Sequence, residues 1–410
     1  MLVKLEKYLE IKRGPGLPSK FYSNSGSLIR LTLGNFNYPN GGFKENDSKK
    51  DIYYTGIVKN EYILKKGDLI TPLTEQTYGL LGTTAWIPED NKYIQNGDIG
   101  LVLPFKGKLD NKFCYYLLSS TLIKKQLSAA AQQTKIRHTS PEKIKSCLAI
   151  IPPIDIQKRI GILLSSVDCQ IERNNIIVKR LQVLAQAIYT RWFLQFEFPN
   201  EGGKPYKSSG GKMVWNDELN REIPEGWKVK NIKELCDVTW GQCPDGNNIL
   251  PLYTKENNTI KYCSGAGDMR NGLLVDCQAK TNASKRYADK GDILMSVAGS
   301  IGALAIVDEK ISLGRAAMAF TPKKCTKLFA YLAIQSLVDR IKQVASGSIQ
   351  KVISDNHIDD MNLPYDEIIF KMFEKYNRVI EEQIVLSKES KMLTSLRNYL
   401  LPLLINGQLK

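Results

Sequence analysis

Histidine is nearly missing from this sequence. Among 410 residues only His138 and His357 occur, so imidazole-built metal centres and histidine proton relays have little to work with. Cysteine occurs eight times, at Cys114, Cys147, Cys169, Cys236, Cys243, Cys263, Cys277 and Cys325, but no two form a C-x-x-C pair. The thiols read as reduced and mostly buried, and no metal site is expected. No run of 18 apolar residues exists, which excludes a membrane-spanning helix. The opening MLVKLEKYLEIKRG lacks the apolar stretch of a secretion signal, so a cytoplasmic location is expected. Acidic residues are also short: 42 against 57 basic ones, a net charge of +15.

Catalytic signatures are missing as well. The chain has no Walker G-x-x-x-x-G-K-S/T loop. It has no Asn-Pro-Pro-aromatic loop of the kind an amino-methyltransferase needs; Asn37-Tyr38-Pro39 and Ile151-Pro152-Pro153 are poor imitations. The Gly clusters Ser264-Gly265-Ala266-Gly267 and Ala298-Gly299-Ser300-Ile301-Gly302 do not continue into a phosphate loop. Pro364-Tyr365-Asp366 with Glu389-Ser390-Lys391 has the order of a metal-nuclease triad, but both lie at a long amphipathic helix, where surface charge explains them better.

What is present is a repeat. Val3-Lys4-Leu5 to Arg13-Gly14 aligns with Lys230-Asn231-Ile232 to Trp240-Gly241. Lys66-Gly67-Asp68-Leu69-Ile70 aligns with Lys290-Gly291-Asp292-Ile293-Leu294, each a tight turn feeding a buried strand. Gly82 to Ile87 falls beside Gly302 to Val307, Tyr116-Leu117 beside Tyr331-Leu332, and Thr134-Lys135-Ile136 beside Gln350-Lys351-Val352. Ile151-Pro152-Pro153 falls beside Asn362-Leu363-Pro364, and a long helix follows each. The chain thus divides into block 1–153, helix region 154–198, connection 199–226 rich in Gly and Ser, block 227–364 and helix region 365–410. The two blocks carry net charges of +9 and +4, nearly the whole excess. Such basic lobes suit a polyanion partner, beside the plainer reading of surface solubility.

The first long helix, expected from about Asp155 to Phe196, carries a heptad: Leu164, Ile171, Val178, Ala185 and Trp192, with Ile160, Val167, Asn174, Leu181 and Ile188. The last helix repeats Met372, Val379, Leu386, Leu393 and Leu400, with Leu396 and Leu403 only near its end. Two seams of this kind predict that the helices pack on each other.

Polar loops in both blocks supply candidate contacts to nucleic acid. In the first block they are Lys49, Lys50, Thr74, Gln76, Tyr78, Thr83, Thr84, Gln132, Gln133, Lys135, Arg137 and His138. In the second they are Gln242, Asn247, Asn248, Lys285, Arg286, Ser300, Arg315, Ser346, Ser348, Gln350 and Lys351. Arg and Lys match guanine edges, Asn and Gln match adenine edges, and hydroxyls match either. His138 and His357 fall in comparable places near the ends of the two blocks.

The order of block, proline, heptad helix, linker, block, proline, heptad helix resembles the DNA-specificity subunit of type I restriction-modification systems. The residues that carry the likeness are Gln157-Lys158-Arg159-Ile160, Ala185-Gln186-Ala187-Ile188 to Arg191-Trp192-Phe193, and Phe196-Glu197-Phe198-Pro199. Tyr206-Lys207-Ser208-Ser209-Gly210-Gly211, Ile223-Pro224-Glu225-Gly226-Trp227 and the tail Leu396 to Gln408 carry it further. The resemblance implies an α+β fold: two β-rich target-recognition domains related by a pseudo-two-fold axis and separated by a pair of long antiparallel coiled-coil helices. It also implies a non-catalytic subunit that reads the two unequal halves of a bipartite target in double-stranded DNA, binds no cofactor, and carries two modification subunits and, in some complexes, restriction subunits. The assembled complex would use S-adenosylmethionine, ATP and Mg2+. The alternative is a stand-alone DNA methyltransferase or nuclease with duplicated recognition domains, whose mark would be one intact catalytic motif.

Overall fold

The computed structural model describes residues 2–38, 41–46, 51–75, 79–130, 137–270, 272–344 and 352–408, with the backbone alone at 130, 247 and 339–344. The chain forms two compact units. One is Met1–Gln170 with Leu393–Lys410, the other Ile171–Met392.

In the first unit, Leu9–Arg13, Ile99–Pro104, Leu69–Pro72 and Ala85–Trp86 form a four-stranded antiparallel sheet in that spatial order. A smaller sheet joins Tyr22–Ser23, Tyr53–Tyr54, Ile29–Arg30 and Tyr93–Ile94, its last pair parallel. Leu2–Lys4 pairs with Leu148–Ile150, bringing the start and end of the domain together. The second unit repeats the plan. Cys236–Trp240, Ala317–Pro322, Ile293–Ser296 and Leu304–Ile306 form the matching four-stranded sheet. Ile260–Cys263 and Ile311–Leu313 make the matching parallel pair, and Lys228–Asn231 closes on Asn362–Tyr365.

The Gly-Asp turns show why the repeat is legible in sequence. Gly67 and Gly291 have φ of 86° and 101°, a region that favours glycine. Asp68 Oδ2 accepts from the Lys65 N–H at 2.8 Å, and Asp292 Oδ2 from the Asp289 N–H at 2.8 Å. Each turn delivers a strand that is buried along its whole length.

Two alignments shift. His138 pairs with Thr74, whereas Val352 bridges Ala298, so the counterpart of Val352 is His138 and not Ile136. Val3 pairs with Ala149 and Lys230 with Leu363, so Pro364 corresponds to Ile150, three residues before Pro153. Pro364 stands inside its strand, while Pro152 and Pro153 follow theirs, and a shared proline misled the alignment. The histidines are not counterparts either. His357 lies on the short helix Asp355–Asp359, where its Nδ1 accepts from the Ser354 N–H at 3.0 Å.

The first long helix runs Ile154–Tyr189 and ends in a wider turn, Thr190–Leu194. In the first unit, Ile160 and Leu164 are buried in one cluster with Ile405, and Leu401 and Leu404 pack on it. The buried Gln157 ties the helix start to the domain. Its Oε1 accepts from the Asp110 N–H at 2.8 Å, and its Nε2 donates to Lys108 O at 3.1 Å and Pro152 O at 2.9 Å. In the second unit the helices run antiparallel. Asn174 Nδ2 donates to Glu389 at 3.0 Å, Gln383 Nε2 to Val178 O at 3.1 Å, and the Trp192 and Tyr376 rings lie 5.6 Å apart. The last helix, Asn377–Ile405, does not bury its apolar heptad. Ile380, Gln383 and Ser390 are buried instead, and Val379, Leu386 and Leu393 are half-buried. The face is turned by the polar partners, since Gln383 and the acceptor of Asn174 must meet the first helix.

The stretch Pro199–Gly226, expected as a plain connection, holds a hairpin, Met213–Asn216 with Arg221–Pro224. Phe198 stacks between Tyr206 and Trp227 at 4.7 and 5.2 Å, and Leu219 and Ile223 enter the core of the second unit. Its apolar residues were diluted by Gly and Ser, which hid the pattern.

Gly14 and Gly241 follow matching strands, and both are pressed on by backbone. A Cβ on Gly14 would lie 2.3 Å from Asn96 O, and one on Gly241 2.1 Å from Gly314 O. Gly14→Ala is expected to destabilise the first unit by about 1–3 kcal/mol, read as a lower denaturation midpoint; an unchanged midpoint would show that the contact relaxes at no cost.

Candidate nucleic-acid interface

Of the candidate contacts, Lys49, Lys50, Gln76, Tyr78, Gln132, Gln133, Lys135, Ser346, Ser348, Gln350 and Lys351 lie outside the described residues, and Asn247 is described by its backbone alone. The rest separate into surface and core.

Thr74, Thr83 and Thr84 are core residues and cannot meet a polyanion directly. Thr84 Oγ1 donates to Tyr115 O at 2.9 Å, and Thr83 O accepts from Thr71 Oγ1 at 3.0 Å. Hydroxyls in a strand-turn-strand segment satisfy the backbone of a neighbouring element, and local sequence does not reveal that this segment is covered. Arg137 and His138 form the edge strand over Thr74-Glu75; Arg137 is half-buried and His138 exposed.

Beneath Arg137 lies a polar cluster that sequence reading missed. Glu75 is 1% exposed. Its Oε2 accepts from the N–H groups of Gly79 and Leu81, both at 3.0 Å, and its Oε1 lies 3.6 Å from Arg137 Nη1. Lys124 Nζ donates to Thr83 Oγ1 at 3.4 Å and stands 5.6 Å from the Tyr38 ring centre. Burial holds the Lys124 ammonium below the usual lysine range, against the pull of Glu75.

In the second unit, Gln242, Lys285, Arg286, Ser300 and Arg315 lie on loops, and Asn248 ends the short 3-10 helix Gly246–Asn248. Gln242, Lys285, Arg286, Ser300 and Arg315 are exposed, and Asn248 is half-buried. The structure draws several together. Gln242 N–H donates to Leu313 O at 3.0 Å, Leu313 N–H to Arg286 O at 2.9 Å, and Lys285 pairs with Asp245 at 3.4 Å. Ser300 O accepts from the buried Ser296 hydroxyl at 2.7 Å, which shapes its turn. Cys243 and Tyr262 sit in the same cluster, 3.2 Å apart, and escaped notice because neither residue type signals a polyanion contact. Burial acts to raise the Cys243 thiol. The Arg315 backbone, the Tyr262 hydroxyl and the charges of Arg315 and Lys285 outweigh it and bring the thiol below the usual range. Among the described residues no three His, Cys, Asp or Glu converge as metal ligands, and no helix is long and apolar enough to cross a membrane.

A lowered thiol pKa means more thiolate at a given pH. Cys243 is therefore expected to alkylate at a pH where the buried Cys114, pushed up by burial, stays inert. Mass-spectrometric mapping of iodoacetamide adducts across a pH series checks this; equal labelling of the two would contradict the geometry.

Comparison with known proteins agrees with the repeat. The family described as type I restriction modification DNA specificity domain matches residues 9–183 and 224–385. The chain is 23% identical over 383 residues to the putative type I restriction enzyme MjaX specificity subunit of Methanocaldococcus jannaschii, covering 89% of this chain and 85% of that one. It is 24% identical over 323 residues to the EcoBI specificity subunit of Escherichia coli, covering 72% of this chain and 64% of that one. The crystal structure of the type-I restriction-modification S subunit from M. genitalium has the same fold, with a TM-score of 0.61 at 16% identity over 99% of this chain and 96% of that one. With both repeats matched in order, the chain belongs to the type I restriction-modification DNA specificity subunits and carries two target-recognition domains.

Proposed function

We propose that each recognition domain reads one half of a bipartite, asymmetric duplex target, and that the paired helices set the spacer and carry the modification subunits. The observation that supports this best is a repeated fold with unrepeated loops. The same four-stranded sheet occurs twice, but Gly14 is followed by Pro15-Gly16 where Gly241 is followed by Gln242-Cys243. Equal scaffolds with different polar groups suit two related but distinct half-sites, each met in a major groove, with centres on one face separated by roughly 34 Å per helical turn. Arg137 and His138 in the first domain, and Gln242, Lys285, Arg286 and Arg315 in the second, are the described side chains best placed for contact. Lys135 and Lys351 are proposed, from their sequence alone, to add phosphate contacts.

The helices offer a second face. Ile162, Ile176 and Val183 are exposed at multiples of seven residues, as are Leu163, Ile177 and Leu184 one place on. Val385, Met392 and Tyr399 repeat the same spacing, exposed, on the last helix. Within the second unit this is apolar surface at coiled-coil spacing on helices already packed on their other side, which suits docking of further helices. In this reading methylation and cleavage belong to the other subunits, which bring S-adenosylmethionine, ATP and Mg2+, and this subunit works in the cytoplasm without a cofactor of its own.

Fluorescence polarisation with duplex DNA, with and without the modification subunit, tests the binding, and sequencing of methylated adenines in a host tests the target. A bipartite motif with unequal halves is expected; a single uninterrupted or palindromic motif would overturn the reading. Removal of one heptad from both helices is expected to shorten the spacer and leave each half unchanged, and a methylome with the original spacer would break the link to helix length. Ile176→Glu together with Val183→Glu should abolish co-purification with the modification subunit. Thermal unfolding should be almost unmoved, since both side chains are exposed; retained co-purification would place docking elsewhere.

A further inference from the structure

We propose that Glu75 is the positioning residue of the first recognition domain. Its buried carboxylate holds Arg137 in reading geometry, and it contacts no DNA itself. The inference rests on the half-site reading above and names the regulation of one half.

An ionised carboxylate taken from water must be compensated. Glu75 is, and by two kinds of partner on opposite sides. Oε2 takes the Gly79 and Leu81 N–H groups, both at 3.0 Å, which fixes the backbone on one side. Oε1 makes no hydrogen bond and faces the guanidinium of Arg137 at 3.6 Å. The first contact needs only an oxygen acceptor, but the second needs negative charge. Arg137 keeps 32% of its side chain exposed while its Nη1 faces the buried carboxylate. A fork held from behind loses less freedom when it meets a guanine edge or a phosphate, and bidentate recognition depends on that preorganisation.

Among the described residues, the second domain has no acidic side chain at the position of Glu75. The His138–Thr74 pair corresponds to the Val352–Ala298 bridge, and the next hydrogen bonds agree, Thr139 N–H to Leu73 O and Ile353 N–H to Val297 O, both 2.8 Å. Glu75 therefore corresponds to Gly299, which has no side chain and a φ of 70°. Arg137 precedes His138 as Lys351 precedes Val352 in sequence. The first domain thus has a buried acidic residue where the second has a glycine, which makes the second half-site an internal control.

Glu75→Gln separates the two roles, because the amide oxygen still accepts a backbone N–H while the ion pair is lost. In the full chain assembled with its modification subunits, E75Q is expected to melt with the native protein. It should relax one base pair of the first half-site by about tenfold in discrimination, with the second half-site intact. Removing the countercharge should also steepen the salt dependence of binding to a duplex of unrelated sequence. A motif unchanged by E75Q, or one degraded in both halves, would overturn the clamp. R137Q keeps the question open to refutation if E75Q does not fold: it should relax the same base pair, and an unaltered motif rejects the proposal. With both variants folded, E75Q/R137Q should be no worse than R137Q, and additive losses would show that Glu75 does not act through Arg137. A native complex that methylates no bipartite target would instead refute the underlying half-site reading.

Discussion

Backbone pairing between the first and last strands of each repeat is the constraint from which the rest of the architecture follows. Leu2–Lys4 on Leu148–Ile150, and Lys228–Asn231 on Asn362–Tyr365, bring each domain's way in and way out to one edge. A domain closed in this way can be inserted on a helix without disturbing it. In the first repeat the chain leaves the strand and enters the helix Ile154–Tyr189 within a few residues, stapled by Gln157. In the second it passes through a short helix, Glu367–Glu374, capped by Asp366, before the last helix begins.

The helix seams combine apolar packing with a few partly buried polar pairs. Asp168 accepts from the Arg397 guanidinium at 2.8 Å and from the Tyr116 hydroxyl at 2.5 Å, so in the first unit one carboxylate joins both helices to the recognition domain. In the second unit Lys391 Nζ donates to Val275 O at 2.7 Å and pairs with Asp308 at 3.1 Å, joining the last helix to that domain. Apolar seams alone tolerate slippage by a heptad. Partly buried polar pairs resist it, because a slip would leave their groups unpaired. They cost stability and supply register, which suits helices proposed to set a spacing.

The two proposed reading surfaces diverge on this common frame. The first rests a half-buried arginine on a buried carboxylate. The second gathers Gln242, Cys243, Tyr262, Lys285 and Arg315 where glycines let two loops approach closely. Exposed cations differ between the domains in identity and in support, while the four-stranded sheet beneath is the same in both.

By itself the sequence determined the duplication, the Gly-Asp turns, the inward seam of the first long helix and the family. These signals are local: a glycine at positive φ, an apolar residue every three or four places, a linker word with few alternatives. The tertiary structure alone decided which polar residues face outward. Thr74, Thr83 and Thr84 have the chemistry of a DNA contact but donate within the core or lie covered in it, while Glu75, with the wrong charge for a polyanion, underlies Arg137. It also decided the buried face of the last helix, where Gln383 and Ser390 displaced an apolar heptad that was plain in the sequence. Burial is a property of what packs over a residue, and partners far apart in the chain, such as Asn174 and Glu389, leave no local trace of each other until the fold brings them together.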